Sequence, residues 1–406
     1  MTEAVIVSTA RTPIGRAFKG SLVSARPDDL AAFAVTEALG RVPGLDVHDI
    51  DDLMLGCGQP AGEAGFNAGR AVAVKLGFDF LPGTTVNRYC SSSLQTTRMA
   101  FHAIKTGEGS AFISAGVEAV SRFGNGMADV GTAQNPVFAD AVARTAATVE
   151  SGASEWHDPR DDGQLPDVYI AMLQTAENVA LWKNISREDM DEFACRSQNL
   201  AEKAIANGFW EREISPYTLE DGTVVSADDC PRPGVTVEAM AGLKAVSGRA
   251  NGRITAGNAC PLNDGAAAVV VMSDAKAKEL GLTPLARIVS TAVTGLSPEV
   301  MGHGPAEAIK LALKRANKGV DDIDLYEINE AFASQVLSSQ RDVGFDIERL
   351  NVSGGAIAVG HPFGMTGARI TGTLINNLQT YDKQWGVESM CVGGGMGMAM
   401  VIERLS

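Results

Sequence analysis

The chain has 406 residues, 45% of them hydrophobic and 20% charged, which is typical of a globular enzyme, and its length predicts two or three domains. The formal net charge of −15 argues against a broad basic face for nucleic acid or an anionic membrane, so an anionic ligand would need a local cluster of positive charge or backbone N–H groups. The six cysteines form no C-x-x-C pair, which argues against a structural zinc site or a disulfide framework.

Three patterns bear on the location of the protein. The N-terminal residues lack a basic segment followed by a long apolar run, so no secretory signal is predicted. The longest apolar runs, such as 266–272, are too short to span a bilayer. The C-terminal sequence Arg-Leu-Ser is not a peroxisomal address. We therefore expect a cytoplasmic protein with neither a membrane nor a nucleic acid as its partner.

Several predicted elements of the first part of the chain recur, in the same order, in the second part. Each copy combines helix periodicity with short β-rich runs. Two related α/β halves are therefore predicted, each with a mainly parallel sheet covered by helices, and ligands should bind at the carboxyl ends of the strands. The matched segments are 4–10 and 286–292, 30–39 and 306–313, 48–55 and 321–328, 112–116 and 389–393, and 265–272 and 397–402.

The first half differs from the second by a long insertion. Gly393 leads almost directly into the last predicted strand, whereas Gly116 and Asp264 are separated by more than a hundred residues. The predicted domains are therefore an N-terminal half, an inserted domain and a C-terminal half. Their bounds are 1–120, completed by 263–280, then 121–262, and 281–406.

The inserted segment divides into two kinds of sequence. Residues 124–167 are rich in Gly, Ala, Asp and Thr with weak periodicity, which predicts an extended surface excursion. Ser186 and Asp189 have the spacing of a capping box, and the apolar face that follows predicts a helix ending before Gly208.

A cysteine stands where a predicted strand ends. Residues 84–90 (TTVNRYC) lead to Cys90, and the serines after it open a predicted helix that ends near Gly107. Cys90 would then lie at a helix N-terminus, where unpaired N–H groups and the helix dipole favour a thiolate. The alternative is a buried cysteine in a well-capped turn.

Two further polar residues occupy comparable positions. His361 lies beside a proline in the glycine-rich segment 352–367, and a histidine can deprotonate a thiol near neutral pH. Asn329 follows the strand-like run 323–328, where its amide could hold a water or an oxyanion. The alternatives are a satisfied turn histidine and a helix N-cap, respectively.

A second cysteine, Cys391, precedes three consecutive glycines, 393–395. Their bare N–H groups could stabilise an oxyanion, although a plain tight turn would look the same. Cys90, Asn329, His361 and Cys391 all follow predicted strands, in both halves. One shared site is therefore expected.

These segments together resemble the thiolase family of 3-ketoacyl-CoA thiolases and acetyl-CoA acetyltransferases. Segments 255–265 and 175–179 also look like family segments, and the resemblance covers nearly the whole chain. The four that resemble the family's signature segments, in the family's order, are 87–92 (NRYCSS), 329–332 (NEAF), 354–362 (GGAIAVGHP) and 391–395 (CVGGG).

The resemblance implies a fold, an assembly and a set of roles. The fold would be a duplicated αβαβα layered core with an inserted loop domain, assembled as dimers or tetramers. Cys90 would be the acylated nucleophile, His361 its base, and Cys391 the acid and base for the α-carbon proton. Asn329 would hold an oxyanion-hole water beside His361, and the N–H groups of Gly393 and Cys90 would form a second oxyanion hole.

The resemblance also implies a coenzyme A site. Arg232 would lie near the nucleotide, while Met172, Ala259 and Cys260 would line the pantetheine tunnel, with Phe332 among the substrate-binding residues. Coenzyme A enters as a substrate, and no metal or redox cofactor is needed.

Five residues depart from the family pattern without removing a catalytic group. Ser93 replaces a usual glycine, and Cys260 replaces a usual serine. Phe363 and Met365 are bulkier than common, and Ala171 stands where some members have a histidine. These departures leave the preferred acyl chain open.

The implied function is that of an acyl-CoA:acetyl-CoA C-acyltransferase of fatty acid metabolism, including beta-oxidation, which cleaves 3-ketoacyl-CoA with coenzyme A or catalyses the reverse condensation. A condensing enzyme of the ketoacyl synthase type would use one cysteine and two histidines, whereas Cys391 stands where the second histidine is needed. The third alternative is an acyl-CoA-binding or lipid-carrier relative without catalytic activity, which the presence of all four candidate catalytic residues disfavours.

Overall fold

A computed structural model describes residues 2–129 and 134–406. In these two ranges no helix combines the length and apolar character needed to cross a membrane. The strands are β1 (Ala4–Arg11), β2 (Gly15–Arg16), β3 (Asp52–Cys57), β4 (Gly83–Val86), β5 (Ala111–Ala119), β6 (Tyr217–Thr218), β7 (Val224–Val225), β8 (Asn263–Ser273), β9 (Ala286–Gly295), β10 (Leu325–Ile328), β11 (Trp385–Val392) and β12 (Met396–Arg404). The α-helices are α1 (Pro27–Gly40), α2 (Ala68–Lys75), α3 (Ser92–Thr106), α4 (Ala139–Ser151), α5 (Met172–Trp182), α6 (Arg187–Ala206), α7 (Val237–Ala241), α8 (Asp274–Glu279), α9 (Gly304–Ala316), α10 (Ala333–Val343), α11 (Ala356–Val359) and α12 (Thr366–Thr380).

Ten strands form one continuous sheet, in the order β10-β11-β12-β9-β1-β8-β5-β3-β4, with β2 beside β8. The strands of the first half are adjacent to one another, and so are those of the second half. The halves join where β1 meets β9, through the pairs Val5–Arg287 and Ile6–Ala286. The two sheets expected from the sequence are therefore present as two parts of one sheet.

The sheet is mixed, with a larger antiparallel share than the alternation of helices and strands predicts. Strand β3 is parallel to β4 and β5, and β10 is parallel to β11. Strands β11 and β12 are antiparallel because a turn of three glycines joins them, and so short a connection cannot return the chain to a parallel start. Gly394 and Gly395 in that turn have φ of +79° and +84°, a left-handed conformation that is unfavourable for residues with a side chain.

Three buried apolar clusters reveal the layers. The first lies between α1, α2 and the first-half strands, and the second between α9, α10 and the second-half strands. Between the halves, α3 and α12 pack against each other and against strands of both. The order helix, sheet, helix, sheet, helix confirms the predicted αβαβα fold class. The predicted domain bounds stay predictions; β5 ends at Ala119 and β8 begins at Asn263.

The segment between β5 and β8 contains more helix than the sequence predicts. Helix α4 lies within the predicted surface excursion, and only Ala141 of the helix is buried. Val142, Ala146 and Val149 recur in it at helical spacing, but most of its apolar residues are small alanines, so the pattern is easily missed in this segment. Residues 130–133 of that excursion lie outside the described residues. Helix α6 begins with the predicted capping box, in which the Asp189 N–H donates to the Ser186 Oγ at 3.0 Å.

Candidate active site

Cys90 lies in a single 3₁₀ turn between β4 and α3. The turn spans Tyr89–Ser91, and Tyr89 has a φ of +43°, a left-handed conformation that is strained for a side-chain-bearing residue. The Ser92 hydroxyl holds the turn by donating to the Tyr89 carbonyl at 2.7 Å. The predicted placement of Cys90 between a strand and a helix is therefore observed, with the cysteine two residues before the first residue of α3.

The ionisation expected for Cys90 differs from what the structure indicates. Burial of the thiol raises the pKa of Cys90 to about 12, and the charge of Glu118 also raises this pKa. A hydrogen bond from the Gly393 N–H lowers the pKa but does not offset the loss of hydration. The helix terminus alone therefore does not make a thiolate, and Cys90 requires a base.

Cys391 is fully buried near the end of β11. Burial raises the pKa of Cys391 well above its ordinary value, and the charges of Cys90 and Cys260 raise this pKa further. Because these electrostatic effects fall with distance, the three sulfur atoms lie in one region of the molecule.

The hydrogen bonds of His361 define its tautomer. Its ring is 1% exposed, and its Nδ1 lies 2.6 Å from the Thr366 Oγ1. That hydroxyl donates its single hydrogen to the Pro362 carbonyl at 2.8 Å, so it can only accept from His361. Nδ1 therefore carries the proton, and Nε2, which is buried without a partner among the described residues, has a free lone pair. Burial, with a smaller contribution from Arg369, lowers the pKa of His361 to about 3.

Asn329 follows β10 and is not a helix N-cap, because the cap of α10 is Phe332. Its backbone N–H donates to the Ser389 carbonyl of β11 at 2.9 Å. Both polar atoms of its side chain are buried without a partner within the described ranges. Such a group costs about 1–3 kcal/mol, so it is retained where a water or a ligand completes it.

Two contacts between elements bring these residues together. Strands β10 and β11 are parallel neighbours, which places Asn329 and Cys391 at the same edge of the sheet. The first turn of α12 packs on α3, where the Ala368 N–H donates to the Ser93 Oγ at 2.9 Å. Ser93, which departs from the family pattern, thus caps the helix that follows His361 and holds it against the helix that follows Cys90.

The residues assigned to coenzyme A are only partly brought together. Arg232 is exposed and lines a cavity of about 180 Å³ together with Arg16. Ala259 pairs with Phe332 in a short antiparallel bridge, and the Cys260 N–H donates to the Ala331 carbonyl at 3.1 Å. The neighbour of Cys260 in the chain, Pro261, also lines that cavity. The cavity therefore reaches the residue that follows Cys260 in the chain.

Met172 lies apart from this cavity. It is the first residue of α5, is 37% exposed, and does not line the 180 Å³ space.

Two residues that contact this region, Thr366 and Glu118, are not among the predicted site residues. Thr366 orients the His361 ring. The sequence feature that could have indicated this is a hydroxyl-bearing residue at the start of a helix, five residues after a candidate base. Glu118 is a buried acid in the mostly apolar strand β5. An acidic residue within such an apolar run could have indicated a functional role.

Comparison with known proteins agrees with this architecture. The thiolase N-terminal domain profile matches residues 4–275, and the thiolase C-terminal domain profile matches residues 282–404. A 3-ketoacyl-CoA thiolase of Bacillus subtilis is 42% identical over 416 aligned residues, covering 99% of this chain and 100% of the relative. A 3-oxoadipyl-CoA/3-oxo-5,6-dehydrosuberyl-CoA thiolase of Escherichia coli is also 42% identical, with 100% of both chains covered.

A solved structure extends the agreement to three dimensions. The crystal structure of the Bacillus anthracis acetyl-CoA acetyltransferase superposes with a TM-score of 0.84 at 39% identity, covering 100% of this chain and 99% of that one. The duplicated layered fold, with Cys391 buried and Cys90 half-buried beside it, is that of a class of enzymes that transfer acyl groups between coenzyme A thioesters. Within that class, the chain belongs to the thiolase family.

Proposed function

We propose that the chain is an acyl-CoA:acetyl-CoA C-acyltransferase that works through an acyl group on Cys90. One observation carries the proposal. The charge of Cys90 raises the pKa of Cys391, so two thiols from opposite halves of the chain lie close to each other. The Nε2 of His361 is buried and has no partner within the described residues. Two sulfur groups suit a reaction that needs both a nucleophile and a separate acid for carbon.

In the degradative direction, His361 Nε2 takes the proton of the Cys90 thiol, and the thiolate attacks the 3-keto carbon of a 3-ketoacyl-CoA. The bond between the α and β carbons breaks, leaving an acyl group on Cys90 and the enolate of acetyl-CoA. Cys391 donates a proton to the α-carbon of this enolate. Cys391, now a thiolate, takes the proton of the thiol of free coenzyme A, whose sulfur attacks the acyl-cysteine. The bond between the acyl carbon and the Cys90 sulfur breaks, the shortened acyl-CoA is released, and Cys90 regains its proton from His361. Condensation follows the same steps in reverse.

Each negative charge that forms on a substrate oxygen needs a hydrogen-bond donor to stabilise it. The Gly393 N–H, which already hydrogen-bonds the Cys90 sulfur, and the Cys90 N–H would stabilise the oxyanion formed at the attacked carbonyl. The unpaired Asn329 amide would hold a water beside His361 for the enolate oxygen. Loss of one such donor typically costs about 10²–10³ in rate. The proposal needs no metal or redox cofactor, so dialysis against a chelator should leave the rate unchanged.

The acyl-enzyme is tested by mass spectrometry after incubation with acetyl-CoA. The wild-type protein and a Cys195→Ser control should each gain one acetyl group, and Cys90→Ala should gain none. Cys391→Ala should still gain the acetyl group but fail to cleave acetoacetyl-CoA, because the proton donor to carbon is missing. An acetyl adduct of normal yield on Cys90→Ala would refute the assignment of the nucleophile.

The substrate we propose is a linear 3-ketoacyl-CoA, in keeping with the name of the Bacillus subtilis relative. The Escherichia coli relative, named for 3-oxoadipyl-CoA, favours a second candidate with a carboxylate at the end of the acyl chain. Values of kcat/KM for a graded 3-ketoacyl-CoA series and for 3-oxoadipyl-CoA, followed by the magnesium-enolate absorbance, separate the two. Activity confined to acetoacetyl-CoA would instead match an acetyl-CoA acetyltransferase, as the Bacillus anthracis relative is named.

The remaining parts of the proposal concern binding, assembly and place. Arg232 and Arg16 would contact the phosphates of coenzyme A at the mouth of the cavity they line.

Strand β4 is an edge strand of the sheet, and Phe66 is fully exposed nearby in the chain, which supports assembly as a dimer or tetramer. Light scattering after gel filtration tests this. The compartment we propose is the cytoplasm, whose reducing conditions suit six free cysteines.

A further inference from the structure

Glu118 is a buried carboxylate with no role in the steps above. It lies on β5 and is 1% exposed. Its Oε2 accepts from the N–H groups of Gly58 and Gly364, each at 2.8 Å, and its Oε1 accepts from the Gln59 N–H at 3.1 Å. No side-chain cation bonds to it in the part of the chain that the structure describes, so three backbone dipoles are its main stabilisation.

These three donors come from two separate segments. Gly58 and Gln59 directly follow β3, whereas Gly364 lies in the loop between His361 and α12. One carboxylate therefore ties the loop that carries the imidazole to the end of a first-half strand.

The backbones at this junction approach too closely for side chains. A Cβ on Gly58 would lie 2.8 Å from the Glu118 Oε2, 3.0 Å from the Phe363 Cβ and 3.5 Å from the Tyr89 carbonyl oxygen. A Cβ on Gly364 would lie 2.3 Å from the Val117 oxygen. The Cys90 turn, the His361 loop and the end of β3 thus meet around Glu118, and an error in its position would move two reacting groups relative to each other.

We propose that Glu118 is a positioning residue for acyl transfer: it fixes the His361 loop against the Cys90 turn, and its negative charge opposes ionisation of the Cys90 thiol. This inference rests on the proposed roles of Cys90 and His361. Geometry carries the first part, through three hydrogen bonds between segments. The second part rests on the same junction: one Cβ position at Gly58 lies 2.8 Å from the Glu118 Oε2 and 3.5 Å from the Tyr89 carbonyl oxygen, so the carboxylate lies close to the turn that carries Cys90. Its charge there raises the pKa of the Cys90 thiol.

The charge state of Glu118 should change near neutral pH. Burial raises the pKa of Glu118 to about 7, although the three N–H donors lower this pKa. As pH rises through that value, the carboxylate gains charge, binds the N–H groups more strongly and makes the Cys90 thiol harder to ionise. Other titratable or charged groups lie around this region in the part of the chain that the structure describes. They are Cys57 of β3, Tyr89 and Cys90 of the turn, His361 of the loop, Asp264 of β8, Asp129, which accepts from the Gln59 Nε2 at 2.6 Å, and the Arg122–Glu63 pair beside the same small cavity.

The Glu118→Gln variant separates positioning from a merely structural effect. The amide keeps the size of the side chain but directs an NH₂ group at N–H donors, so the loop should shift and kcat should fall about 10- to 100-fold. The same change removes the charge, so alkylation of Cys90 by iodoacetamide at neutral pH should become about three- to tenfold faster. Glu63→Gln, which neutralises a nearby carboxylate paired with Arg122, should change neither quantity.

A structural lesion alone would lower kcat without accelerating alkylation, and that result would overturn the proposal, as would a kcat within twofold of the wild type. If Glu118→Gln does not fold, hydrogen exchange of the wild-type protein decides. Corrected for intrinsic rates, the amides of Gly58, Gln59 and Gly364 should become more protected as pH rises through neutrality, and unchanged protection would refute the idea. A failure of the Cys90 assignment appears separately, as an acetyl adduct on Cys90→Ala.

Discussion

The hydrogen bond between Thr366 and His361 offers a direct test of the proposed base. In Thr366→Val a methyl group replaces the hydroxyl at nearly constant volume, so the Nδ1–H of His361 loses its acceptor in a site that is 1% exposed. A buried polar group left unpaired costs about 1–3 kcal/mol, which favours the other tautomer, with Nε2 protonated and unable to accept the Cys90 proton. If that cost is felt in the transition state, kcat should fall roughly 5- to 150-fold.

The assay is thiolysis of acetoacetyl-CoA, together with the rate of Cys90 alkylation and the melting temperature. Thr366→Ser keeps the hydroxyl and should restore kcat to within about threefold of the wild type, which a general packing defect would not allow. If Thr366→Val retains more than half the wild-type kcat while folded, the tautomer argument fails. His361 would then not be the base in the form deduced here.

Three further predictions concern stability and binding. Burial lowers the pKa of His303 to about 4, so the folded protein favours the neutral imidazole. As pH falls from about 6.5 towards 4, the wild type should therefore lose stability relative to His303→Gln, by up to roughly 1.4 kcal/mol per pH unit in urea unfolding. A difference in stability that stays constant with pH would contradict this. Gly395→Ala should lower the free energy of unfolding by about 1–3 kcal/mol, because φ is +84° and the new Cβ would lie 2.4 Å from the Leu296 oxygen. In the control Gly393→Ala, the new Cβ would lie 3.4 Å from its nearest neighbour, so the melting temperature should hardly change. Arg232→Ala should raise KM for coenzyme A roughly fivefold with kcat unchanged, an effect that added salt should reduce and that Lys318→Ala should not show.

Local patterns in the sequence predict the two α/β halves and the position of Asn329 after a strand and of Cys90 between a strand and a helix. The prediction that His361 also follows a strand is wrong, because the short helix α11 precedes it, and Cys391 lies within β11 near its end. The strand that leads to Cys90 ends at Val86, and the predicted helix ends at Gly107, which adopts the left-handed C-cap expected of glycine. The capping box of α6 forms as its spacing predicts. In each case, the signal lies within a few residues of the feature.

The parts that the sequence does not predict depend on contacts between distant segments. Glu118 and Gly364 are 246 positions apart, and Ser93 and Ala368 are 275 positions apart, so no local pattern links them. The helix terminus favours a thiolate at Cys90, whereas burial raises the pKa of its thiol, and the extent of burial depends on packed loops that no local pattern predicts. Helix α4 is not predicted because its apolar residues are mostly small alanines in a segment rich in Gly, Asp and Thr, which weakens the helical pattern that they form.

The raised pKa values of both thiols explain why the proposed site holds two of them. Two thiolates in one buried region would repel each other and lack hydration, so at most one proton is absent at a time. A thiol that stays protonated at neutral pH is available as an acid for the enolate, and once deprotonated it is a stronger base than an ordinary thiolate. His361, neutral because burial lowers its pKa to about 3, can take the Cys90 proton only while substrate and oxyanion donors stabilise the charge that results. Ionisation should therefore accompany catalysis rather than precede it, and alkylation of the free enzyme by a neutral reagent should be slow compared with turnover.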